Sequence, residues 1–317
     1  MANQTKSGKA FEFAVLSEGK SKIEAIRTVS IVEDSRFVKA KKYFQDISAS
    51  SAPEQKHYRQ ASRLAIRHIL ELEPMLSRQS GELRAMLAPD ASGEGGDVRD
   101  VLFYDDESGW ELGLSIKNNH DAVKHSRLSH NIDFGAKWLN LGCSETYFQE
   151  ISPIFSELEK LKRQGEKWTN LEDKDTRFYV PVLQSFRREL LRLSEKGKEQ
   201  VPQALLEYLI GNKDFYKVIG KSGQVEISGF NLRGTLNKPD GARKPSLKVP
   251  TLNLPTRLIE LEFKEKSTTT LLLTCDQGWQ ISFRIHNASS EVEPSLKFDI
   301  KLVGQPKKLY SHYITEP

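Results

Sequence analysis

Two short apolar runs, residues 101–104 and 110–117, restrict the fold more than any other feature of this chain. They are joined by the polar segment 105–109, and a connection of about five residues between two such runs is typical of a β-hairpin. Apolar residues at helical spacing precede the hairpin within residues 8–88 and follow it within 120–141 and 150–217. The pattern predicts a hairpin set among helices.

The chain changes character after residue 218. Gly, Pro, Thr and Val become more frequent, and strand-like runs occupy 256–264, 269–275, 279–286 and 296–303. We therefore predict an α+β fold: a helix-rich region, 1–218, holds the hairpin in a mixed sheet, and a β-rich C-terminal region, 219–317, packs on it.

The composition excludes several classes of protein. Of 317 residues, 47 are Lys or Arg and 43 are Asp or Glu, so the net charge of +4 does not by itself indicate a polyanionic partner. Cys143 and Cys275 lie far apart, which favours a reducing compartment over a disulfide framework. No apolar run approaches the ~18 residues of a membrane span. We expect a cytoplasmic protein.

The hairpin carries acidic and basic residues that are candidates for a catalytic site. Asp100 precedes the first strand, and alternation places Glu111, Ser115 and Lys117 on one face of the second. Carboxylates bind Mg²⁺, and a lysine beside them can orient water or neutralise a phosphate. Glu12, in the first helix, is a further candidate. The plain alternative is a solvated hairpin with ordinary surface charges.

A rival arrangement exists at Asp240, Glu262 and Lys264. Its spacing fits a written Asp…Glu-x-Lys pattern better than the first pair. We rank it lower, because Asp240 lies in a segment with turn composition rather than at the start of a strand.

Residues 117–137 are rich in basic and amide side chains. Arg and Lys hold phosphates, while Asn, His and Arg read base edges, so the window favours DNA contacts. The alternative is a solvated helix face. A strand pattern near the C-terminus adds three further candidates, with Arg284 placed to read guanine. The candidate DNA-binding residues are Asn118, Asn119, His120, Lys124, His125, Arg127, Arg284, His286 and Asn287.

Four segments resemble the HaeIII family of type II restriction endonucleases. They are residues 8–12, 115–129, 278–288 and 294–299. The resemblance implies a PD-(D/E)xK nuclease core, Mg²⁺ as cofactor, and cleavage of double-stranded DNA at GGCC. It also implies a cognate methyltransferase that protects the same site. Carried over by position, Asp100 would be a metal ligand, Lys117 the catalytic lysine and Glu12 a supporting acid.

The chain departs from the nuclease pattern at Ser115, where an acid is expected. Glu111 would lie ~13 Å from Ser115 along an extended strand, at ~3.3 Å per residue. Asp97, Glu12 or the backbone carbonyl of Ile116 could serve as the second metal ligand instead. Because Ser115 replaces an acid, the chain could alternatively be a sequence-specific DNA-binding protein without catalysis. A repair nuclease with the same core is a further alternative. A palindromic target predicts a homodimer on DNA.

Overall fold

The computed structural model describes residues 2–78, 81–89, 96–119 and 124–315. The chain divides into two compact units, each discontinuous in sequence. Unit 1 comprises residues 1–121, 211–252 and 308–317, and unit 2 comprises 122–210 and 253–307.

Unit 1 is built on a seven-stranded mixed sheet with the strand order β1-β2-β3-β4-β6-β7-β12. Pairing is parallel for β1 with β2 and for β4 with β6, and antiparallel elsewhere. Its strands are Val29–Ile31 (β1), Leu83–Leu87 (β2), Val101–Asp105 (β3), Trp110–Asn118 (β4), Phe215–Lys221 (β6), Gln224–Phe230 (β7) and Tyr310–Thr315 (β12), and its helices are Ala2–Ile23 (α1), Ser35–Ser50 (α2) and Ala52–Leu72 (α3).

One face of this sheet forms a hydrophobic core with α1 and α3. Phe11 and Val15 of α1 are fully buried, as is Leu114 of β4. Strand β4 lies between β3 and β6, so its backbone is hydrogen-bonded on both sides. The end of β4 that carries Lys117 is therefore held in the interior of the sheet, beside the first turns of α1.

Unit 2 places helices against one face of an antiparallel sheet with the order β5-β11-β10-β9-β8. Phe283 and Phe298 from the sheet meet Phe186, with ring centroids 5.6 and 5.1 Å from it. Its strands are Lys124–Leu128 (β5), Leu258–Phe263 (β8), Thr270–Cys275 (β9), Gln280–His286 (β10) and Leu296–Gly304 (β11), and its helices are Phe134–Leu139 (α4), Glu145–Arg163 (α5), Val180–Gly197 (α6) and Gln200–Ile210 (α7).

The predicted α+β class and the hairpin at 101–117 are confirmed. So are the four strand-like runs of the C-terminal region, as β8 to β11. Three details differ. The helical pattern over 8–88 also contains β1 and β2, and the pattern over 120–141 contains β5 before α4. The expected boundary at 218/219 falls inside β6, which belongs to unit 1 because it pairs with β4.

Among the described residues, no helix combines the length and the apolar character that crossing a bilayer requires.

Candidate active site

Asp100 is fixed at the start of β3 by backbone and side-chain bonds. Its amide donates to the carbonyl of Leu114 at 2.7 Å, and its own carbonyl accepts from Ala88 at 2.9 Å. Its carboxylate Oδ2 accepts from the backbone N–H of Ile116 at 2.7 Å and from Lys117 Nζ at 3.0 Å. The hairpin thus brings together the two groups that the sequence predicted to meet, with the carboxylate only partly exposed.

Ser115 is buried and donates its hydroxyl to the same Asp100 oxygen at 3.3 Å. A serine here supplies a third donor to Asp100, where the expected acid would have supplied a second carboxylate. The hairpin therefore carries one site carboxylate, whose Oδ2 accepts hydrogen bonds from Ser115, Ile116 and Lys117.

Glu12 of α1 supplies another carboxylate. It is buried, and Lys9 Nζ lies 3.0 Å from its Oε2. Burial, and next the negative charge of Asp100, raise the pKa of Glu12 from 4.5 to about 8, while Lys9 and Lys117 act in the opposite direction. Glu12 is therefore electrostatically coupled to Asp100 and Lys117. Lys9 was not predicted, although its position three residues before Glu12 is the helical spacing at which side chains meet.

Two other acids considered for the site are held elsewhere. Both oxygens of Asp97 accept from the Arg99 guanidinium at 2.8 Å. Glu111 lies 3.1 Å from Arg99 and 3.2 Å from Lys213. Arg99 is buried and crosses the strand at Gly113, where a Cβ would lie only 1.9 Å from its Cδ. This ion-pair cluster occupies the carboxylates of both acids.

The residues of the rival arrangement are divided between the two units. Asp240 lies in a turn of unit 1, where its Oδ1 accepts from the amides of Ala242 and Arg243 at 2.9 and 2.6 Å. Glu262 lies on β8 of unit 2 and pairs with Arg187.

Asn118 ends β4 in a polar network that sequence reasoning missed. Its Nδ2 donates to Ser7 Oγ at 2.7 Å and to the Tyr58 hydroxyl at 3.2 Å. Tyr58 in turn donates to Glu54. The amide therefore ties the strand carrying Lys117 to α1 and α3, rather than pointing toward a ligand as predicted. Asn119 follows with a left-handed φ of 51° and donates its N–H to the carbonyl of Gly220.

The predicted DNA-binding residues from Lys124 onward lie in unit 2 and differ in orientation. Lys124 lies on the helix side of the sheet, where its Nζ donates to the backbone carbonyl of Tyr208 at 2.7 Å and lies over the aromatic ring of Tyr208. Arg127 is on the opposite face, as are Arg284 and His286, which share that face as predicted. Of His125 the structure describes only the backbone, in β5, and His120 lies outside the described residues.

Asn287 has a local structural task. Its Nδ2 donates to the carbonyls of Ser289 and Glu291, and its Oδ1 accepts from the amide of Glu293 at 3.1 Å. Its side chain therefore shapes the loop between β10 and β11, and a role as a base reader would require breaking these bonds.

The carboxylates of Asp100 and Glu12 suit a hard cation that is held by few protein ligands. Asp100 and Glu12 provide two carboxylates, and Mg²⁺ in proteins is often held by one or two carboxylates while keeping several waters. Within the described residues no three His, Cys, Asp or Glu side chains gather as a metal cage.

Comparison with known proteins places the chain clearly. The family of the HaeIII restriction endonuclease matches residues 8–306. The type II restriction enzyme HaeIII of Haemophilus aegyptius is 43% identical over 309 residues, which cover 96% of this chain and 96% of that protein. No solved structure matches the chain.

Proposed function

Since the chain belongs to the HaeIII restriction endonuclease family, a family of site-specific deoxyribonucleases, we propose that it cleaves double-stranded DNA at GGCC by Mg²⁺-dependent hydrolysis. One observation supports placing the catalytic site at Asp100, Lys117 and Glu12. Asp100 and Lys117 are 3.0 Å apart at the end of the hairpin, and the buried Glu12 is coupled to both.

Asp100 and Glu12 are the residues that would hold Mg²⁺, with the carbonyl of Ile116 as a further oxygen donor. When bound, the cation activates a water and offsets negative charge on the phosphate. The Ser115 hydroxyl and the Ile116 amide both donate to Asp100 and keep its carboxylate oriented. Positive charge at this centre favours the ionised form of Glu12.

Lys117 is placed to act on the phosphodiester. Its ammonium is held by Asp100, yet about a quarter of its side chain remains exposed. From this position it can donate a hydrogen bond to a phosphate oxygen or to an attacking water. Lys9 keeps the second carboxylate in place through its own contact with Glu12.

Recognition is proposed to involve the exposed face of the unit 2 sheet. Arg284 is exposed there and carries the five-donor fork that pairs with guanine O6 and N7. We further propose a homodimer on the palindrome and a methyltransferase that acts on the same site. The protein would act in the cytoplasm, where it meets incoming DNA.

The test is digestion of a phage-sized DNA with Mg²⁺ or with EDTA, followed by mapping of the fragment ends. Discrete Mg²⁺-dependent fragments ending at GGCC, absent when the site is methylated, are expected. Asp100→Asn and Lys117→Ala should each lower the cleavage rate by at least about 100-fold, as is typical for groups that act on the transition state.

Asp240→Asn and Lys264→Ala are matched controls from the rival arrangement and should cut normally. Sequence-specific binding without any cleavage would favour the DNA-binding protein that Ser115 keeps open. Cutting that ignores methylation would favour a repair nuclease.

A further inference from the structure

Strand alternation gives the five-stranded sheet of unit 2 a face that packs on its helices and an opposite, outward face. Phe283 of β10 and Phe298 of β11 face the helices. Because side chains alternate along a strand, the residues next to each of them point outward. The outward charged residues on β5, β11 and β10 that have described side chains define what we term the cationic face: Arg127, Lys297, Asp299, Lys301, Arg284 and His286.

Basic residues are in direct register across these strands. Arg127 is opposite Lys297 on one side, and His286 is opposite Lys297 on the other. Of these residues, Arg127 and Lys297 are like charges directly opposite each other, an arrangement that destabilises a sheet. Burial, and next the charge of Lys297, lower the pKa of His286. Burial, and next the charge of Arg127, lower the pKa of Lys297. The repulsion between Arg127 and Lys297 therefore lowers the stability of unit 2.

Compensating negative charge is scarce on this face. Of the outward side chains described on these three strands, Asp299 is the single carboxylate. Arg127, Arg284 and Lys301 are exposed, and none of them, nor Lys297, forms an ion pair with a described carboxylate. At the opposite edge of the same sheet, Glu262 of β8 does pair with a cation, Arg187. The excess of positive charge is thus local to the β5-β11-β10 side.

We propose that the cationic face binds the sugar–phosphate backbone of duplex DNA, with Arg127, Lys297 and Lys301 as its phosphate contacts. This deepens the proposed function, on which it rests for the choice of DNA as partner. Neighbouring cations that form no ion pair with a described carboxylate attract a polyanion, because binding releases its condensed counterions. A phosphate lying across Arg127 and Lys297 would also relieve their mutual repulsion. Such contacts set the position of the protein on DNA without reading sequence.

The test compares the full-length wild type with the double variant Arg127→Gln/Lys297→Gln. Binding to a fluorescent 30-base-pair duplex is measured in EDTA over a series of salt concentrations, with GGCC present or absent. Each phosphate contact contributes about 0.9 to the slope of log K against log salt. The double variant should therefore lower the slope by about 2, and by the same amount on both duplexes. Lys266→Gln, at an 89% exposed lysine of the same unit, should leave the slope unchanged.

Thermal melting separates a binding role from a structural one. Removing the like-charge row should leave the melting temperature equal or higher, whereas a structural role would lower it. An unchanged salt slope, or a loss confined to the GGCC duplex, would overturn the proposal.

Cleavage by the wild type is measured in parallel. If the wild type cuts at GGCC and the slope is unchanged, the surface proposal alone has failed. If the wild type never cuts and the slope falls, the proposed activity alone has failed.

Discussion

Replacing the buried carboxyl of Glu12 by an amide, Glu12→Gln, should make the protein more stable at high pH in the absence of a divalent cation. Burial and the charge of Asp100 raise the pKa of Glu12 from 4.5 to about 8 in the folded chain. Between these values the unfolded carboxyl is ionised while the folded one keeps its proton. The wild type therefore loses stability as pH rises through this window, and a neutral amide does not.

The size of the effect follows from the two pKa values. One pKa unit corresponds to ~1.4 kcal/mol, so the wild type should lose about 5 kcal/mol relative to Glu12→Gln between pH 4.5 and pH 8. Below pH 4.5 the wild type should lose nothing further relative to the variant. Adding Mg²⁺ at pH 8 should restore much of the lost stability in the wild type and little in the variant.

Urea unfolding in EDTA at pH 5, 7 and 9, followed by far-ultraviolet circular dichroism, measures this difference. Glu24→Gln is the control, since Glu24 lies just after the same helix with an exposed carboxylate and should change stability by less than about 0.5 kcal/mol. If the unfolding free energies of wild type and Glu12→Gln stay parallel from pH 5 to pH 9, the assigned burial and coupling of Glu12 are wrong.

Four further substitutions, three in unit 1 and one in unit 2, are tested by urea unfolding and, for Asn118→Ala, by cleavage assay. Gly113→Ala should destabilise by about 3 kcal/mol or more, because its Cβ would displace the buried Arg99, whereas Gly8→Ala meets no atom within 4 Å and should be neutral or slightly stabilising. Phe283→Ala should cost about 3 to 5 kcal/mol by opening a cavity in unit 2, and a loss below 1 kcal/mol would contradict its burial. Asn118→Ala should slow cleavage while Mg²⁺ and DNA binding persist, and unchanged cleavage would show that its network does not position Lys117.

The local chemistry of the site was accessible from the sequence. Asp100 precedes the first strand of the hairpin and Lys117 lies near the end of the second, so strand alternation and a short connection were enough to predict that they meet. Ser115 was visible as a departure from the nuclease pattern, and the structure shows its consequence, a hydroxyl donated to Asp100. Glu12 was found because it has apolar neighbours in the first helix and because the resemblance implies a supporting acid there.

Contacts between distant segments were decided only by tertiary structure. Asn118 meets Ser7, 111 residues away, and no periodicity encodes such a pairing. Lys124 and Arg127 are both basic residues of one window that was expected to be helical, yet the segment forms strand β5, in which residues three apart lie on opposite faces.

The two-unit division has the same origin, because β6 joins unit 1 by pairing with β4 about 100 residues earlier. Local sequence determines which element a segment can form, since propensity and patterning act over a few residues. Which elements become neighbours depends on burial and hydrogen bonding across the whole chain, and only the folded structure fixes these.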